Sequence, residues 1–203
     1  MPDLENPFLS VFNPFLTSKN FRVQMEKVGK NKGFVNASFE AMMKAVGWQG
    51  GQAWCMYYCK LVYMQFFSFD REFIAKYFTG GSQVTPNNII NLNAKGDKRY
   101  IFVNTNTPQI GDIFCLENVP KDGMGHVGII TEVFTNTKVK TIEGNTSLKG
   151  VREGDGVFEL NRNLEIGVKS GSKRMRGYIR RNFTQDELSK VYFDETEKTL
   201  KFR

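Results

Sequence analysis

The apolar residues of this chain change their spacing at Pro108. Before it they recur at helical intervals. After it they fall in short runs of β-formers separated by turn residues. That switch excludes most architectures. A helical bundle would carry one period throughout, and a βαβ fold would alternate the two textures. Helices first and strands second predict an α+β domain, with N-terminal helices packed on a C-terminal antiparallel sheet.

Within the helical half, Asn36 to Val46 reads as a helix. Asn36 can cap it, Phe39, Met42, Met43 and Val46 share a face, and Gly47 can end it. A loop follows, Gly47-Trp48-Gln49-Gly50-Gly51-Gln52. Ala53 to Phe67 is apolar over most of its fifteen residues, which is long for a strand and ordinary for a buried helix. Shorter helices are expected over 71–78 and 86–94. Beyond Pro108, strands are expected over 112–116, 126–134, 137–143, 156–160 and 176–180. No helix-length segment separates the first three, so they should pair antiparallel. Thr184-Gln185-Asp186-Glu187 has capping-box spacing and should begin a last helix.

Residues 1–33 read as an extension. Asn6-Pro7-Phe8-Leu9 recurs as Asn13-Pro14-Phe15-Leu16, and Asn followed by Pro suits a helix or turn start. The phenylalanines are expected to dock on the body of the protein; a protein partner is the alternative. Residues 183–203 read as a helical tail.

Hydrophobic residues make up 40% and aromatic residues 13% of the 203, enough for one real core and too much for a disordered chain. The net charge of +7 favours polyanions: nucleic acid, anionic lipid or an acidic wall polymer. Part of the excess is local. Between Arg162 and Arg181 there are seven Lys or Arg and one acid, Glu165. That run reads first as a solvated face, with a docking surface as the sharper alternative. No stacking platform or reading helix accompanies it, so nucleic acid is not expected.

The N-terminus, MPDLENPFLS, carries two acids and no basic region, and no long apolar run follows. Neither a signal peptide nor a transmembrane helix is expected, hence synthesis in a reducing cytoplasm and no membrane insertion. The three cysteines, Cys55, Cys59 and Cys115, are odd in number and loosely spaced, which suits no disulfide framework. With one histidine and no C-x-x-C pair, neither a structural zinc nor another cofactor is expected.

Cysteine chemistry needs a thiolate, a base and a group that orients the base. A lone cysteine is by default a core residue. Cys55 departs from that default because it sits where a glycine-rich loop gives way to a helix. There, unpaired N–H groups favour negative charge. Cys59 lies one turn deeper, and Cys115 shares a strand face with Ile113; both read as core. His126 follows a flexible turn, Asp122-Gly123-Met124-Gly125, and is the only imidazole available as base. On the next strand, Thr141, Glu143 and Asn145 should face one side. Either Glu143 or Asn145 could orient His126.

Together these pieces resemble the CHAP domain, the cysteine- and histidine-dependent amidohydrolase/peptidase group of the papain-like hydrolases. Four stretches carry the likeness: Gln52-Ala53-Trp54-Cys55, Pro108-Gln109-Ile110-Gly111-Asp112-Ile113, Gly125-His126-Val127-Gly128-Ile129 and Ile142-Glu143-Gly144-Asn145. The resemblance spans residues 34–182. It implies a papain-like α+β fold and a site of Cys55, His126, Glu143 and Asn145. The implied reaction is cleavage of an amide bond in bacterial peptidoglycan, by an amidase or an endopeptidase. Release from the cell, virion delivery or injection would bring the protein to the wall. Some members bind calcium through acids before the cysteine, but Lys44 to Trp54 has none, so no metal is expected. Nothing after residue 182 is long enough for a wall-binding module. The glutamine of a papain-like oxyanion hole has two candidates, Gln49 and Gln52. Two other readings stand beside this one: a non-enzymatic virion-structural or binding protein on the same fold, and a cysteine hydrolase of a protein or small amide.

Overall fold

The computed structural model describes residues 9–27, 30–147 and 155–203. Helices come first: α1 (Leu9–Ser18), α2 (Ala37–Ala45), α3 (Cys55–Phe66), α4 (Arg71–Tyr77) and α5 (Val84–Ala94). Strands follow: β1 (Tyr100–Val103), β2 (Ile113–Asn118), β3 (Gly125–Val133), β4 (Lys138–Thr146), β5 (Gly156–Asn163), β6 (Lys169–Ser170) and β7 (Lys173–Arg181). Helix α6 (Gln185–Lys190) and a hairpin of β8 (Val191–Asp194) and β9 (Thr199–Phe202) close the chain. The main sheet is antiparallel in the order β1-β7-β2-β3-β4-β5, with β6 beside β7. This is the expected α+β arrangement.

The caps act where the residue types call for them. Asn36 Oδ1 accepts from the Ser38 and Phe39 amides and starts α2. Thr184 and Glu187 form a reciprocal capping box at α6. After Lys190 the expected helical tail turns instead into a hairpin. Val191 and Phe202 pair at its open end, and Lys198 at its turn takes a left-handed φ of 52°. The alternation in Val191-Tyr192-Phe193 suits a strand, and burial of Val191 and Leu200 on the core favours it.

The central helix α3 packs against β3 and β4. Its approach is close because Gly144 has no side chain. A Cβ there would come within 2.6 Å of the Trp54 ring and 2.7 Å of Tyr58 Cβ. Met56, Tyr58, Cys59, Val62 and Phe66 are buried on this helix, and Cys59 and Cys115 are core residues, as their positions imply.

The N-terminal segment belongs to the same core. Helix α1 runs through Pro14 rather than starting there, so Asn13 is not its cap. Its Nδ2 instead donates to Thr131 O on β3, at 2.8 Å. Burial of Phe12, Phe15 and Leu16 holds the helix despite the proline. Phe15 packs on Phe66 of α3, ring centroids 4.9 Å apart. The earlier copy of the motif, up to Phe8, lies outside the described residues. Further on, Val157 donates to Gln24 O and Glu26 to Asp155 O, fastening this segment to β5.

The basic run from Arg162 to Arg181 is not simply a solvated face. Its five arginines all pair with acids. Arg162 pairs with Glu143, Arg174 and Arg176 with Glu117, Arg180 with Asp112, and Arg181 with Asp70 and Glu187. Glu143, Glu117, Asp112 and Asp70 are buried, and a buried carboxylate requires such a partner.

Truncating Phe15 to Ala should cost about 3–5 kcal/mol of stability, read from urea unfolding, because it removes a fully buried ring packed on Phe12, Phe21 and Phe66. A loss below about 1 kcal/mol would mean that the N-terminal helix is not part of the cooperative core.

Candidate active site

Helix α3 begins with Cys55. The residue before it, Trp54, makes no side-chain cap bond, so the first amides of the helix point out unclaimed by a cap. Trp54 itself is buried, and its indole N–H donates to Glu26 Oε1 on the N-terminal segment. Glu26 Oε2 accepts from the Asn31 amide at 2.8 Å. The residue next to the candidate nucleophile is thus anchored from far back in the sequence.

His126 enters from β3, next to Gly125. A Cβ on Gly125 would fall 1.9 Å from Leu116 O and 2.3 Å from Gln83 Nε2, so only glycine lets β3 pair with β2 here. Gly128 has the matching role on the other side: a Cβ would lie 2.6 Å from Glu143 Cγ. The glycines of Gly125-His126-Val127-Gly128 therefore make room for the strand and for the carboxylate.

Glu143, on β4, is fully buried and accepts four hydrogen bonds. Oε2 takes His126 Nε2 at 2.8 Å and Arg162 Nη2 at 2.6 Å. Oε1 takes Arg162 Nε at 2.8 Å and Thr141 Oγ1 at 2.5 Å. Every lone-pair direction of the carboxylate is used. Burial pushes the Glu143 pKa up, but the bonds from Arg162 and His126 outweigh it and hold the group at about 2. For His126, burial works to lower the pKa. Its hydrogen bonds to Cys55 and Glu143, with the charges of both, raise it to about 9. Since Nε2 faces Glu143, Nδ1 is the nitrogen left for Cys55.

Cys55, His126, Asn145 and Arg162 border one cleft of about 720 Å³. Ala53 and the Gly80-Gly81-Ser82 loop form one side. Leu164, Val168, Lys169 and Lys173, from β6 and its flanks, form the other. Cys59 and Cys115 do not reach it. Burial raises the Cys59 thiol well above its usual range and pushes Cys115 up to about 12.

All four sequence-derived residues meet here, though not alike. Glu143 contacts His126; Asn145 does not. The strand bulges between Glu143 and Thr146, and Asn145 takes a left-handed φ of 55°. Its Oδ1 is buried with no hydrogen-bond partner among the described residues. Gln49 and Gln52 do not border the cleft; the Gln52 side chain accepts from the Gln49 amide at 3.1 Å instead. Arg162 is the residue that sequence reasoning missed. It appeared only as one member of a basic run. In the sheet, Thr141 pairs with Leu160, Val139 with Arg162 and Glu143 with Phe158. Arg162 therefore shares the face of Glu143, and only the β4–β5 register reveals it.

Residues 47–145 match the family model of the CHAP domain. No curated protein sequence matches the chain. The matched span includes Cys55, His126, Glu143 and Asn145, and it excludes Glu26 and Arg162.

The raised His126 pKa has a consequence for stability. His126 should contribute fully below its unfolded value, near 6.5, and lose that contribution as pH rises through about 9. The loss should amount to roughly 3 kcal/mol in urea unfolding measured across that window. Glu143→Gln should flatten this dependence; a slope unchanged in that variant would contradict the pairing.

Proposed function

We propose that the chain is a cysteine- and histidine-dependent hydrolase, a reading supported by the match of residues 47–145 to the CHAP-domain model, and that it cleaves an amide bond in bacterial peptidoglycan. The observation that carries the reading is the buried Glu143–His126 pair bordering the same cleft as Cys55.

In the proposed reaction Cys55 Sγ attacks the carbonyl carbon and its proton passes to His126 Nδ1. Glu143 keeps the imidazole in one orientation and balances its positive charge. The oxyanion that forms sits near the first amides of α3. Its collapse breaks the C–N bond, and the leaving amine takes the proton from Nδ1. The thioester is then attacked by water, from which His126 Nδ1 removes a proton. Expulsion of the Cys55 sulfur, which regains that proton, frees the carboxylic acid. Asn145 acts from beside the pair, without a direct bond to the ring. Lys169 and Lys173 on the cleft wall suit an acidic wall polymer.

Digestion of purified sacculi, followed by mass spectrometry of the products, tests the proposal and separates amidase from endopeptidase cleavage. Cys55→Ala and His126→Ala should each lower product formation by at least about 1000-fold while the fold persists. Cys59→Ala should stay within about threefold of the parent, since its thiol lies in the core. Undiminished lysis by Cys55→Ala would refute the nucleophile. Inert sacculi together with selective alkylation of Cys55 by iodoacetamide near neutral pH would point to a protein or small-amide substrate. No lysis and no selective alkylation would favour a binding protein.

A further inference from the structure

Arg162 lies outside the matched family span and on a different strand from every residue assigned above. It grips Glu143 at both oxygens, through Nε at 2.8 Å and Nη2 at 2.6 Å. A guanidinium held side-on in this way fixes the plane of a carboxylate as well as its charge. His126 uses the same Oε2 that Arg162 Nη2 holds. The direction in which the imidazole faces Cys55 is thereby coupled to β5.

We infer that Arg162 is a positioning residue for the hydrolytic site, acting through Glu143 to set the ring of His126. This rests on the function proposed above, since positioning matters only if His126 is the base. The alternative is a purely structural ion pair, holding β5 to β4 with no influence on the imidazole.

Among the described residues, few groups face Glu143. They are His126 from β3, Thr141 from β4 and Arg162 from β5, with Cys59 from α3 near enough to feel its charge. Arg162 brings the one permanent positive charge among them, because His126 can lose its own. Without Arg162, a fully buried carboxylate would keep only the Thr141 hydroxyl and the titratable imidazolium, and burial would press it toward the neutral acid. A protonated Glu143 still occupies the site but no longer supports a charged ring.

His126 is the only histidine in the chain, so its ring resonances can be followed by NMR with no competing imidazole. With Cys55 replaced by alanine, so that no thiol titrates beside the ring, they should show one titration between pH 4 and 10, above the ordinary imidazole value, and the Arg162 variants are compared in that background. Arg162→Gln should add a second inflection between about pH 4 and 7, from Glu143. The double variant Arg162→Gln/Glu143→Gln should lack it. Arg162→Lys, which keeps the charge and loses the fork, should suppress the inflection yet, with Cys55 in place, lower kcat about tenfold or more, with KM within about twofold of the parent.

An Arg162→Gln titration identical to that of Cys55→Ala alone would overturn the inference, as would an inflection that survives in the double variant. If Arg162→Gln does not fold, Arg162→Lys decides: parental kcat and an unchanged titration together refute a positioning role. The NMR readout needs no turnover. A catalytically silent protein with the extra inflection would sink the proposed function and leave the Arg162–Glu143–His126 coupling intact.

Discussion

One buried carboxylate organises the centre of this molecule. Glu143 has no exposure to solvent, so its charge must be met by protein groups at close range. Three neighbouring strands supply them: His126 from β3, Thr141 from β4 and Arg162 from β5. Gly128 is empty of side chain because Glu143 occupies the space. Strand register, glycine placement and protonation state are thus consequences of one requirement. The same requirement leaves His126 with one nitrogen turned to the cleft.

The solution recurs across the sheet. Asp112, Glu117 and Asp70 are buried, and each is held by an arginine of β7. A chain of high positive charge therefore spends much of its arginine internally. Arg180 donates to Asp112, while the Gln109 amide also bonds that carboxylate and shapes the entry to β2. Lys169 and Lys173 are the lysines of the basic run, and both border the cleft. Charge relevant to a substrate is a small part of the formal total.

The segment ahead of the family match has its own structural part. Glu26 holds the Trp54 indole, and Tyr58 donates its hydroxyl to Phe21 O at 2.9 Å. Both aromatic rings lie where α3 meets β4 at Gly144. The start of the helix, and hence Cys55, is braced by residues 28 and 37 positions earlier. An N-terminal stretch that reads as an extension is in this sense a strap against the first turn of α3.

What the sequence determined by itself was local. Helices α2 and α3, the positions of β2 to β5 and β7, and the capping box of α6 followed from periodicity and from cap and turn residues, all near-neighbour effects. Cys55, His126 and Glu143 were readable for the same reason, since each lies in a short motif at an element boundary. Only the tertiary structure decided β1, a four-residue edge strand whose partner β7 lies far along the chain. The helix through Pro14, favoured by burial, and the final hairpin were likewise tertiary outcomes. So was the identity of the paired arginines. Arg162 looks like its basic neighbours until the β4–β5 register brings it to Glu143, because ion-pair partners are chosen by proximity across strands.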